Sequence, residues 1–156
     1  MKAPERDWDR RADAVLGVAA SAILMGMMCL TFVDVVARYG FNRPIRGGFE
    51  VTELLLLVLI FAGLPLVSHA DEHVTMDFID RLLRGGARVW LNRVVHVIVA
   101  AVMLFMAWQV TIKAGRIASY GDATDVLRIV YGPFVYFSAA MIALAGLIHL
   151  YKAAQR

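Results

Sequence analysis

Residues 49–83, FEVTELLLLVLIFAGLPLVSHADEHVTMDFIDRLL, decide how this chain folds. Two carboxylates, Glu50 and Glu53, lead directly into an apolar run that is interrupted at Leu64-Pro65. The uncharged core of that run, residues 54–68, is only 15 residues long, whereas a membrane-crossing helix needs about 20. A helix here must therefore take in Glu50 and Glu53 at one end, or His69 and Ala70 at the other, or be flanked by thinned or protein-lined surroundings. Pro65 removes one helical hydrogen bond and predicts a bend. After the polar cluster His69-Ala70-Asp71-Glu72-His73 the pattern changes. Val74, Phe78, Ile79, Leu82 and Leu83 recur at helical spacing, opposed by Asp77, Asp80, Arg81 and Arg84. That pattern predicts an amphipathic helix over 74–84 lying at the membrane interface, started by His73 and Asp77 and ended by Gly85-Gly86.

The rest of the chain places this stretch in a membrane. Of the 156 residues, 60% are hydrophobic, against roughly 45–50% in soluble domains, and a soluble protein this small could not hide so much apolar surface. The net charge of +3 comes from basic residues scattered between apolar runs, without the basic patch that a nucleic-acid face requires; no nucleic-acid partner is expected. Beside membrane spans such residues set topology and touch anionic lipid. The lone Cys29 excludes an intrachain disulfide or thiolate metal cluster.

Residues 1–156 read as a single all-α membrane domain: four transmembrane helices over about 14–37, 49–70, 89–112 and 129–151, plus the interfacial helix between spans two and three. The 20 uncharged residues 14–33 are too long for a signal-peptide core of about 7–15, so they read as a retained first span. Gly40 to Gly48, with Asn42 and Pro44, forms a turn, and 113–128 forms a second polar loop. Counting Lys and Arg gives ten on the side of the termini and six on the other, which predicts that both termini are cytoplasmic.

Charges at the outer ends of spans one and two are the first candidates for chemistry. Asp34 and Arg38 stand i,i+4 with the acid first, the favourable order on a helix, and Glu50 and Glu53 stand i,i+3 on one face. If the two helices are neighbours, Arg38 and both glutamates meet at one membrane level. An ion at the bilayer centre costs about 2.5–3.5 kcal/mol on insertion scales, so pairing Arg38 with Glu53 would offset part of that cost. Two readings fit: a coupling or substrate site, or a charge clamp joining two helices, the clamp being the simpler. His69, His73, His96 and His149 all fall towards the cytoplasmic side, which raises haem or metal ligation. Histidines at helix ends are more commonly solvated or interhelical hydrogen-bond donors. No hydrolase, zinc-protease, P-loop or dinucleotide motif is present; no enzyme activity and no cofactor are expected. Gly17 with Ser21, and Ala139 with Ala143, have the small-xxx-small spacing that lets helices approach closely.

The order of elements resembles the small four-helix membrane subunit (DctQ-type) of TRAP transporters, the tripartite ATP-independent periplasmic carriers. The similarity is carried by Val36-Ala37-Arg38-Tyr39 closing span one, Glu50 and Glu53 opening span two, Phe61-Ala62-Gly63 within it, and His73-Val74-Thr75-Met76-Asp77. It covers essentially the whole chain. The resemblance implies a bacterial inner-membrane subunit without catalytic residues. Its partners would be a large multi-span subunit that holds the substrate and Na+ sites, a periplasmic substrate-binding protein, and membrane lipids. Asp34, Arg38, Glu50 and Glu53 would then face or brace the large subunit. Arg43, Arg46, Asp122 and Asp125 in the loops would help dock the binding protein for uptake of an organic acid, usually a carboxylate. Two rival readings remain at this point: a haem-binding, cytochrome b-like redox anchor using the histidines, and a small oligomeric channel.

Overall fold

The computed structural model describes residues 7–70 and 86–155. These hold four helices: α1, Asp7–Gly40; α2, Gly48–Ala70; α3, Gly86–Tyr120; and α4, Gly132–Gln155. All four are long and apolar enough to cross a membrane. The predicted helix over 74–84, with His73 and Asp77 at its start, lies outside the described residues.

At about 1.5 Å per residue, the 23 residues of α2 reach roughly 34 Å, enough for a hydrocarbon core of about 30 Å. The short uncharged core is thus completed from both sides: the helix takes in Glu50 and Glu53 at its start and His69 and Ala70 at its end. Pro65 lies within it.

α3 corrects one expectation. Residues 113–120, read as loop, continue the helix to Tyr120. The reason lies in the seam with α4. Ala100, Ala107 and Ala114 are buried at intervals of seven residues, so one more turn past Ile112 sets Ala114 in the same stripe. Gly121 then ends the helix with φ 68°; the Asp122 N–H donates to the Ile117 carbonyl at 3.2 Å, the six-to-one bond of a Schellman cap. On the other side, α4 begins with Gly132-Pro133, where a proline in the first turn loses no needed donor.

Packing runs α1 on α2, α2 on α4, and α4 on α3, so the helices form a layer in the order α1–α2–α4–α3. The α3–α4 contact is the most intimate, and α4 buries small residues, Ala139, Ala145, Gly146 and Ala153, with Gly146 set against Leu104 and Met103 of α3. A Cβ on Gly146 would stand 3.1 Å from Leu104 Cγ, so any larger residue here would require the Leu104 side chain to give by a few tenths of an ångström. Large apolar side chains such as Phe32, Ile60, Phe105 and Leu147 point outward instead. Small residues inside and large apolar residues outside suit a hydrocarbon solvent, in which close helix contact rather than hydrophobic burial drives association. The membrane-crossing part of α1 has no buried residue. The sequence and this packing together describe a multi-pass membrane protein.

Candidate functional site

Where α1 and α3 end and α2 and α4 begin, two carboxylates each hold a loop. Asp34, in the last two turns of α1, accepts the Arg38 Nη2 donor at 2.7 Å on one oxygen and the Ile45 backbone N–H at 2.8 Å on the other. The α1–α2 loop is folded back over the helix end by these bonds. Asn42 takes a left-handed conformation with φ 53°, a conformation asparagine tolerates. The Arg43 N–H returns to the Ala37 carbonyl at 3.0 Å.

Glu50, in the first turn of α2, does the equivalent work on the loop between α3 and α4. The Val126 N–H donates to Oε1 at 2.7 Å and the Leu127 N–H to Oε2 at 2.9 Å. The Thr124 hydroxyl and the Asp125 N–H also reach this carboxylate. A carboxylate held by several backbone amides is a charge-assisted, directional anchor. Glu50 is buried with 9% of its surface exposed, and Thr124 with 1%.

The loop itself is a small hairpin. Ala123 and Val130 form an isolated antiparallel bridge. The Thr124 N–H donates to the Ile129 carbonyl at 3.0 Å and the Tyr131 N–H to the Asp122 carbonyl at 3.1 Å. The Thr124 hydroxyl also accepts the Ile129 N–H at 3.0 Å, so one side chain ties the loop's two arms to each other and to Glu50. The two loops touch through Gly47 and Leu127. Gly47 has φ 76°, and a Cβ there would overlap the Leu127 side chain. Glycine is required twice over at that position, for conformation and for space.

The charge clamp is therefore built differently from the sequence expectation. α1 and α2 are neighbours, as predicted, but Arg38 pairs with its own-helix Asp34, and among the described residues no Arg38–Glu53 ion pair forms. The loops pull the acids apart in role: Asp34 and Glu50 turn to backbone amides, and Glu53 stays exposed. Glu53 is felt instead at Tyr131, where burial pushes the phenol above its ordinary range and the charges of Glu53, Glu50 and Asp125 push it the same way. Arg43, Arg46, Asp122 and Asp125 are all exposed on the two loops. Sequence reasoning missed Thr124; its signal was a threonine flanked by Asp122 and Asp125 in a loop, a type that bonds local backbone.

The opposite end is held helix to helix. Lys152 Nζ on α4 donates to the Ser68 carbonyl in the last turn of α2 at 2.7 Å, a cation placed where the helix dipole is negative. His96 on α3 and His149 on α4 face each other with 3.2 Å between their Nδ1 atoms. Among the described residues no cluster of three or more His, Cys, Asp or Glu side chains could hold a metal ion.

Comparison with known proteins agrees with this architecture. Residues 27–156 match the family described as tripartite ATP-independent periplasmic transporters, DctQ component. A protein of Haemophilus influenzae named as a TRAP transporter small permease protein is 36% identical over 61 residues. That match spans 39% of this chain and 38% of the relative's length. On the family match, which covers most of the chain, the protein belongs to the DctQ family, the DctQ components of tripartite ATP-independent periplasmic transporters.

Proposed function

We propose that this subunit acts as a brace with a fixed periplasmic platform. In the membrane it packs beside a large multi-span subunit and widens that subunit's static footprint. The observation that carries the reading is the pair of anchors at one end, Asp34 on the α1–α2 loop and Glu50 on the α3–α4 loop. Two loops locked to helix ends, and packed together through Gly47 and Leu127, make a surface whose shape does not depend on a bound partner. Preorganisation of that kind lowers the entropy cost of docking. Arg43, Arg46, Asp122 and Asp125 supply its exposed charge of both signs and are the contacts for a periplasmic substrate-binding protein.

The ten-to-six distribution of Lys and Arg supports an inner-membrane orientation with both termini cytoplasmic and the platform periplasmic. In this reading the subunit carries no cofactor and no reacting group. Substrate and cation, an organic acid and Na+, bind on the large subunit, and this chain contributes to uptake through assembly and docking.

The test is charge reversal on the platform. Arg43→Glu with Arg46→Glu is expected to reduce uptake by the reconstituted transporter about tenfold, which corresponds to about 1.4 kcal/mol of docking energy, while co-purification with the large subunit is unchanged. Undiminished uptake with both reversals removes the docking role. Failure of the wild-type chain to co-purify with any large membrane subunit removes the brace as well.

A further inference from the structure

The helix layer has two edges, α1 and α3, and their outward faces differ in chemistry. From Gly17 to Val33 the α1 edge carries no charged or amide side chain, and its hydroxyls are Ser21 and Thr31, a type that can bond carbonyls of its own helix. Such a face suits hydrocarbon. α3, packed on α4 at the other edge, carries Gln109, Lys113 and Arg116, all exposed. Spaced i,i+4 and then i,i+3, the three are neighbours on one helix face, turned away from the buried stripe of Ala100, Ala107 and Ala114.

Their depth follows from the register of the α3–α4 seam. A Cβ on Gly132 would meet Ala118 Cβ at 3.4 Å, and one on Gly146 would meet Leu104 Cγ at 3.1 Å, so Ala118 is level with Gly132 and Leu104 with Gly146. Midway along the α4 span, Gly132–Ala154, is Ala143, which this register sets level with Ala107. Ala107 also lies, within a residue, at the middle of the α3 span, Arg93–Tyr120. At about 1.5 Å per residue, Gln109 is then about 3 Å from mid-membrane, Lys113 about 9 Å and Arg116 about 14 Å, all within the half-thickness of about 15 Å of a hydrocarbon core. Lys113 and Arg116 can extend their stems towards the headgroups. The shorter Gln109 side chain ends well inside the hydrocarbon, where an unbonded amide is costly. Among the described residues, the side chains of Gln109, Lys113 and Arg116 make no hydrogen bond or ion pair.

We infer that a membrane-crossing helix of the large subunit lies along this face of α3, an assignment that rests on the brace proposed above. That helix presents a hydrogen-bonding side chain opposite Gln109 and a carboxylate within reach of Lys113 and Arg116. Phe105, Trp108 and Ile112, also exposed, supply the apolar contact around them. A lipid phosphate would satisfy the two cations but offers nothing to Gln109 at mid-membrane. In hydrocarbon, polar side chains bond across helices, so the glutamine selects a protein neighbour, and the cations set the sign of the charge that neighbour carries.

The experiment is recovery of the large subunit with this chain from solubilised membranes, for the wild type and for Gln109→Leu combined with Lys113→Leu. Leucine suits hydrocarbon better than either native side chain, so a lipid-facing α3 would leave recovery unchanged. The assigned contact predicts about tenfold less large subunit with the leucine variant, and near wild-type recovery with Lys113→Arg, which keeps the cation. Should the leucine variant not fold, a photoreactive benzoylphenylalanine in place of Ile112 decides in the otherwise unaltered complex. A crosslink to the large subunit supports the contact; adducts with lipid alone, or with a second copy of this chain, overturn it. If the wild type recovers no large subunit, the brace fails and this contact with it. If the wild type and the leucine variant recover it equally, this contact alone fails.

Discussion

The two ends of this helix layer are restrained by different chemistry. At the loop end, Asp34 and Glu50 bind backbone amides of loops. At the other, Lys152 and the two histidines bind across helices. A carboxylate set on amides fixes the shape of a loop, whereas a bond between helices fixes their spacing and register. Perturbing one end should therefore leave the other intact. Glu50→Ala is the hardest test, because it strips one acceptor from several donors at once. Amide exchange over 124–127 should accelerate about a hundredfold, with no change over 145–153. Glu50→Gln keeps one acceptor oxygen and should give about a tenfold acceleration. Faster exchange in the C-terminal half of α4 would show that the ends are coupled.

Next in size is the contact between the loops. Gly47→Val places a branched side chain at φ 76° and into Leu127. The conformational strain alone is worth about 1–3 kcal/mol, and the overlap adds to it. Adding Leu127→Ala removes the overlap but not the strain, so the double variant should recover part of the loss in thermal midpoint. Full recovery would mean that space, and not backbone conformation, selects glycine here. The corresponding change in the seam is Gly146→Leu, whose Cβ meets Leu104 and Met103 at 3.1–3.2 Å. Overpacking there should cost about 1–3 kcal/mol and shift α3 against α4 without altering exchange in the 121–131 loop.

The same comparison explains which features were legible in the sequence. Helix number and type follow from apolar runs long enough to cross a bilayer, and even the shortfall in residues 54–68 was resolved as its flanks required, by drawing Glu50, Glu53 and His69 into α2. The level of the acids was legible too, since Asp34 and Glu50 flank one short turn. Their partners were not. Nothing local to Glu50 indicates that its acceptors face amides 76 and 77 residues away; that depends on α2 lying beside α4 instead of α3, an ordering no periodicity encodes. The end of α3 was misplaced for a related reason. Lys113 and Arg116 look like loop residues, yet on a long helix they point outward while Ala114 continues the buried stripe. The pairing of His96 with His149 likewise needs the α3–α4 register, although both were already assigned to one side of the membrane.

The smallest expected effect lies within the loop end, on Tyr131. Burial raises its phenol above the ordinary value, and Glu53, Glu50 and Asp125 add to the rise in that order. A raised phenol means that the fold favours the neutral form. The associated stability is therefore fully present below the unfolded value near about 10 and is lost as the pH climbs through the folded value. Alkaline absorbance titration should resolve one tyrosine, absent in Tyr131→Phe, that ionises above the ordinary phenol range. Glu53→Gln should move that tyrosine back towards its ordinary value while leaving exchange at Val126 and Leu127 untouched, because Glu53 acts on Tyr131 through its charge and Glu50 alone holds the loop. If Glu53→Gln also loosened 124–127, the two acids would share the anchoring, and the clamp first read from their spacing on α2 would be restored in a new form.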